Sequence, residues 1–228
     1  MKRTVIALAV ALPALAPSAA SAQVSIWLQR GVSGYGGAAS IQASGDATEL
    51  TASGGYSYQG FLDFDLNLNY YSLNKDNFQG ASVSAYGLAP VVQYHPIKQS
   101  AEVPVSLGLS AGVEKIWFSS PDFTAGSSIN AFNVGVGVSV YRFVKLAPSF
   151  GVIPAAAFGV NHAWTTTTVA GMDTTAGTTG ESLQIGAYFA YIDDAGRIFG
   201  LVPSLTFAFG DSTSTIFGLE FSIIVSQQ

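Results

Sequence analysis

The sequence predicts an all-β protein, an antiparallel β-barrel that spans a membrane. Three observations carry this expectation. Over 56–70, Tyr56, Tyr58, Gly60, Leu62, Phe64, Leu66, Leu68 and Tyr70 alternate with a set that holds Gln59, Asp63, Asp65, Asn67 and Asn69. Side chains alternate across a strand, so this segment has one apolar and one wet face. The composition points the same way: 49% of residues are hydrophobic and only 10% charged, where a soluble domain carries about 25% charge. Yet no segment after the N-terminal region supplies the ~18 consecutive apolar residues of a membrane helix. Apolar character dispersed at period two, with 25 glycines among 228 residues, suits strands whose greasy side faces outward.

The chain begins with a basic pair, Lys2-Arg3, an apolar stretch over 5–15, then Pro17, Ser18 and Ala20-Ser21-Ala22. Those are the three regions of an export signal with an A-x-A site, so 1–22 is expected to be removed and 23–228 to form one barrel domain. The apolar stretch is too short to cross a bilayer as a helix. Cysteine is absent, which excludes a disulfide framework and thiolate metal ligation. A net charge of −5 argues against a nucleic-acid partner.

Eight segments alternate clearly: 56–72, 81–95, 102–117, 130–144, 146–164, 182–192, 198–210 and 215–225. Residues 24–55 admit two readings. Two further strands, 24–42 and 47–53, make a ten-stranded barrel; otherwise eight strands carry an N-terminal segment in the periplasm or the lumen. The ten-stranded reading is favoured. The intervening connections 73–80, 118–129 and 165–181 are longer than their neighbours, and 211–214 follows in the same phase. Barrels of the bacterial envelope have short inner turns and long outer loops, so these four should face outward. The Thr- and Gly-rich stretch 165–181 reads as a mobile outer loop, and 193–197 as an inner turn.

Aromatic placement fits two girdles at the headgroup levels. Trp117, Trp164, Tyr70 and Tyr71 fall at outer strand ends; Tyr56, Tyr58, Tyr94, Tyr141 and Tyr191 fall at inner ends. Against regular strands stand Pro90, Pro104, Pro148, Pro154 and Pro203. Proline cannot donate to a ladder, so bulges are expected there.

On the wet parity lie Asp63, Asp65, Glu114 and Glu220, while Lys115 and Arg142 fall on the lipid parity near strand ends. The other inward positions are mostly Gly, Ala, Ser or Asn, giving a small-lined, acidic lumen. Arg30 is the candidate lumen cation. Such a lumen could pass or bind a small polar or cationic solute, or be filled by a polar network that packs a closed barrel. Of the two histidines, His95 lies at an inner strand end and His162 near an outer end beside Trp164. No paired-His metal spacing, no G-x-S-x-G and no phosphate loop is present, so neither a metal, a cofactor nor an enzymatic role is expected.

With this export signal, dyad strands, girdles and a final apolar strand, the chain resembles small bacterial outer-membrane β-barrel proteins of the OmpA-type, opacity-like and porin-like groups. The resemblance implies residence in the outer membrane of a Gram-negative-type bacterium, with outer-membrane lipids as partners. It carries no specific family motif, and the oligomeric state is left open. The implied role is structural or surface-interacting, with limited small-solute passage; a narrow acidic, cation-favouring channel is the alternative. Lipid A deacylases of similar size use a His-x-Ser pair, but here the local sequence is His162-Ala163-Trp164, so a lipid-modifying role is disfavoured. The chain ends Ile224-Val225-Ser226-Gln227-Gln228 rather than on the aromatic residue common in such proteins. A soluble β-sandwich would bury its Phe, Leu and Val faces against each other; low charge and wet-face glycines argue against it.

Overall fold

The computed structural model describes residues 28–75, 80–123, 126–210 and 213–227. The expected export signal, 1–22, lies outside them. The strands are β1 (Ser33–Ala43), β2 (Ala47–Tyr58), β3 (Leu62–Leu73), β4 (Ser84–Ile97), β5 (Ser106–Ser119), β6 (Ser128–Tyr141), β7 (Val144–Ala147), β8 (Phe150–Val169), β9 (Met172–Ile192), β10 (Arg197–Phe209) and β11 (Ser214–Gln227). Each wall strand pairs antiparallel with its neighbours; β6 pairs with β8, and β1 closes onto β11. The result is a closed ten-stranded barrel, with the four-residue β7 lying only against the start of β8. Closure leaves no wall edge unpaired, which an open sheet could not achieve in lipid.

The alternation sorts side chains as period two requires. Phe64, Leu66, Leu68, Val136, Ile185 and Phe217 are exposed on the outside, while Asp63, Asp65, Asn67 and Asn69 are buried within. One end of the barrel gathers the wall's two chain ends and the β2–β3, β4–β5, β6–β8 and β9–β10 connections; it is termed the terminal end. The other carries the β8–β9 hairpin and is termed the hairpin end.

Several boundaries differ from the sequence expectation. The segment 56–72 is two strands: β2 continues to Tyr58 and β3 begins at Leu62. Gln59 (φ 51°) and Gly60 (φ 65°) make the turn between them. Tyr58 pairs with Leu62 and Tyr56 with Phe64, so even-numbered residues stay outside on both strands and the period runs through the turn unbroken. The first strand starts at Ser33, and residues 28–32 precede the wall; 24–27 fall outside the described residues. Residues 165–181 are not a loop. β8 and β9 pair from Thr165↔Ala176 to Val169↔Met172, closed by Ala170 and Gly171; β8 stays paired with β6 up to Thr168, while β9 runs past β10, whose last partner on it is Glu181. β-Branched threonine suits extended backbone, which outweighed its loop-like polarity.

Proline acts differently from expectation as well. Pro104 and Pro148 lie outside strands. The ladder lapses at Pro90 between β4 and β5, and at Pro203 between β9 and β10, but the register is kept on both sides. Pro154 stays paired with Ala187. The register shift falls between Tyr94 and Ile97, around Pro96; a second, between Lys145 and Ala147, interrupts β7.

Candidate functional site

The lumen is filled in three zones. At the hairpin end, inward residues of β3–β6 meet as an apolar plug: Tyr71, Leu73, Ala85, Ile116, Phe118 and Ile129, with Val83 from the preceding connection. Towards the terminal end Tyr141, Ile153, Tyr188 and Val202 form a second cluster. Between β1, β6 and β8–β11 a space of about 20 Å³ lies beside Gln42, Gln184 and Glu220, room for about one water.

Glu114 sits below the apolar plug, fully buried. Tyr71 donates its hydroxyl to Glu114 Oε1 at 2.6 Å, and Asn69 Nδ2 donates to the same oxygen at 2.8 Å. Asn133 Nδ2 donates to Oε2 at 3.2 Å. β3, β5 and β6 thus converge on one carboxyl through neutral donors. Glu49 on β2, which lies close by, accepts from Thr51 Oγ1 at 3.2 Å. Gly87 makes the approach possible, since a Cβ there would stand 2.4 Å from Glu114 Oε1.

A second chain of polar groups runs near the terminal end. Asp63 Oδ2 lies 3.5 Å from His95 Nε2, and Tyr141 Oη lies 2.8 Å from His95 Nδ1. Gln93 Nε2 donates to Asp65 Oδ2 at 3.2 Å. Glu220, on β11, is buried as well, close enough for its charge to act on Asp65. Among the described residues no three His, Cys, Asp or Glu side chains come together as a metal-binding group.

Three expected placements require correction. Tyr141 is not a girdle residue: it is 3% exposed and faces the lumen. β6 runs regularly from Ser128, so Tyr141 shares the inward parity of Asn133. Arg30 does not reach the carboxylates. It lies exposed before β1, in a segment held to the β2–β3 turn by a Gly31 N–H bond to the Gln59 carbonyl at 2.9 Å. The cation near Asp63 is Lys98. Tyr71, read as an outer-end aromatic, also points inward. Trp117, Trp164, Tyr70, Tyr94 and Tyr191 are exposed on the outer surface. Of these, Tyr70 packs on Tyr86 at 5.3 Å and Trp164 on Phe132 at 6.1 Å near the hairpin end. Tyr94 and Tyr191 approach Phe61 and Phe199 near the terminal end. His162 contacts Trp164 at 4.4 Å between ring centroids and Thr179 Oγ1 at 2.7 Å. Lys115 donates to Asn130 Oδ1, and Arg142 is exposed.

Glu49, Tyr71 and Lys98 are the members sequence reasoning missed. Glu49 lay beyond the segments with clear alternation. Lys98 lay in a connection, where no parity applies.

At the terminal end the lumen opens into a separate cavity of about 760 Å³, bounded by residues 28–30, the β4–β5 connection, the β6–β7–β8 corner and the ends of β9 and β10. Lys98 lines it. Burial pulls the Lys98 ammonium down to about 8, against the opposing pull of the Asp63 charge. In the β9–β10 turn Asp193 Oδ1 accepts from the Ala195 and Arg197 amides at 3.0 and 2.9 Å, and Oδ2 pairs with the Arg197 guanidinium at 2.7 Å.

No protein-family model matches the chain, and no curated protein matches it. Solved structures do. The β domain of the Bordetella autotransporter BrkA is 12% identical, with 86% of this chain and 100% of that one covered and a TM-score of 0.56. The translocator domain of autotransporter NalP from Neisseria meningitidis is 12% identical, covers 98% and 99%, and gives a TM-score of 0.54. Ail, the attachment invasion locus protein of Yersinia pestis, is 10% identical over 86% of this chain and 100% of its own, with a TM-score of 0.40. The chain has the closed antiparallel barrel fold of small outer-membrane β-barrel proteins.

Proposed function

We propose that this protein is a non-conducting barrel of a Gram-negative-type outer membrane, working as a surface scaffold through its hairpin end. One observation carries the reading: the lumen is occupied by its own side chains from the Tyr71–Ile116–Ile129 plug to the Tyr141–Tyr188 cluster. Ion passage needs a continuous hydrated path, and the space beside Gln42, Gln184 and Glu220 has room for about one water. The Glu114 and Asp65 carboxyls, held by neutral donors, then serve packing rather than ion selection.

The orientation follows from the asymmetry of the ends. On its β9 side the β8–β9 hairpin projects past β10, which ends at Phe209 opposite Glu181, and envelope barrels place their long connections outside. Exposed groups on a rigid wall are where such a protein meets partners. The apolar outer surface takes lipid as its partner, with no enzymatic step and no cofactor assigned.

Conductance tests this directly. The purified full chain in planar bilayers is expected to give no discrete steps across a range of salt concentrations. Reproducible cation-selective steps, altered by Asp63→Asn with Asp65→Asn, would overturn the closed-lumen reading in favour of an acidic channel.

A further inference from the structure

The cavity at the terminal mouth lies within the ~300–1,000 Å³ range of small-molecule sites, at about 760 Å³. Its chemistry is one-sided. Arg30, Lys98 and Lys145 face it, and no Asp or Glu stands among its described lining residues. The chain as a whole is acidic, with net charge −5 and only nine Lys and Arg, so three cations around one opening invert the local sign. Phe143, Ile192 and Ile198 add apolar wall.

The walls are fixed before any ligand arrives. Gln99 Oε1 accepts from the Phe143 amide at 2.7 Å, and Gln99 Nε2 donates to the Phe143 carbonyl at 3.1 Å. This two-point clasp ties the β4–β5 connection to the corner after β6. The Gln99 amide donates to Ser106 Oγ at 2.8 Å, and Lys98 Nζ donates to the Leu28 carbonyl at 3.3 Å, anchoring the segment that carries Arg30. A preformed pocket spends less binding energy on ordering itself. An ammonium held in poorly solvated surroundings also gains more from a nearby anion than one in bulk water.

We propose that the terminal mouth binds a small organic anion, a phosphate or carboxylate joined to an apolar body. Arg30, Lys98 and Lys145 hold the charged group, and the Phe143–Ile192–Ile198 side covers the body. Phosphate and carboxylate share the chemistry; the two are distinguished by titrating phenyl phosphate and benzoate separately.

The experiment uses the full chain in zwitterionic nanodiscs, titrated calorimetrically with phenyl phosphate, benzoate, inorganic phosphate and benzylamine. Saturable binding is expected for at least one of the two aryl anions. Inorganic phosphate should bind at least tenfold more weakly, and benzylamine not at all. Lys98→Met with Lys145→Gln should weaken aryl-anion binding at least tenfold. Arg30→Gln, at an exposed position that leaves the wall untouched, should weaken it severalfold and serves if the double variant fails to fold. Lack of saturable aryl-anion binding overturns the proposal. So does equal binding of benzylamine or inorganic phosphate, or unchanged affinity in the folded variants.

Discussion

Tyr71 on β3 donates its hydroxyl to Glu114 on β5 at 2.6 Å, and both side chains are wholly buried. The bond reaches across β4, which lies between the two strands in the wall. Removing a donor from a buried acceptor costs about 1–3 kcal/mol. Tyr71→Phe is therefore expected to lower barrel stability by that amount, read as a shifted urea midpoint in lipid vesicles. An unchanged midpoint would show that the phenol hydroxyl does not support this carboxyl.

Gly87 tests the same contact from the side. A methyl group there would meet Glu114 Oε1 at 2.4 Å and must displace the carboxyl from its donors. Gly87→Ala should destabilise by about 1–3 kcal/mol. Combined with Tyr71→Phe the losses should be less than additive, because both act on one carboxyl. Full additivity in a double-mutant cycle would uncouple the two.

Lys98 gives a pH dependence with a definite sign. The groups facing it are Asp63 from β3, His95 from β4 and Tyr141 from β6, whose ring centroid lies 5.6 Å from the ammonium. Burial is the largest influence and holds its folded value at about 8, below the ordinary 10.5. Between those values the unfolded chain binds more protons than the folded one. The stability contribution is therefore fully present above 10.5 and lost as pH falls through about 8. Lys98→Met should stabilise the barrel at pH 7, and its advantage over the parent should shrink as pH rises towards 10.5. Urea midpoints of both proteins across that range check this; a constant difference would contradict it.

The β9–β10 turn has the same sign in a more acidic window. Burial pushes Asp193 up, but the Arg197 backbone and side chain and the Ala195 amide together outweigh it, leaving the carboxyl below its ordinary value. The stability contributed by this cap is present above the ordinary carboxylate range and is lost as pH falls through the lower folded value. A carbon NMR titration of Asp193 should place its midpoint under 3.8, and Asp193→Ala should quicken amide exchange at Ala195 and Arg197. A midpoint at or above the ordinary value would remove the cap from the account.

At the hairpin tip Ala170 adopts φ 53°, a region that costs a residue with a Cβ about 1 kcal/mol. Ala170→Gly should relieve this strain and slow amide exchange at Thr168 and Asp173, with little effect on the global midpoint. Faster exchange at those amides would indicate that the added backbone freedom of glycine dominates.

The barrel was legible in the sequence because period two is a local property and a wall strand displays it on both faces. Asp63, Asp65, Glu114 and Glu220 share the inward parity for that reason. What the period cannot show is where a strand reverses: with Tyr58 opposite Leu62, parity passes through the turn, and only Gln59-Gly60 marks it. Polarity misled at Thr165–Thr168, where β-branching favoured strand despite a loop-like composition. Tyr141 was misplaced by its location near a strand end, although its parity already pointed inward. The terminal cavity was not legible at all. Arg30, Lys98 and Lys145 come together only through the curvature of the wall and the Gln99–Phe143 clasp, which joins residues far apart in the chain.

The seam between β1 and β11 sets Ser33 opposite Gln227 and Ala43 opposite Phe217. No other pair of wall strands lies so far apart along the polypeptide. β1 can gain one neighbour early, from β2, yet its second row of backbone partners does not exist until the last stretch of chain has arrived. Until then its amides and carbonyls on that flank need water, a chaperone or an insertion machine to satisfy them. Closing the cylinder is thus an event of the whole chain, and a fragment lacking β11 would retain an open flank at β1.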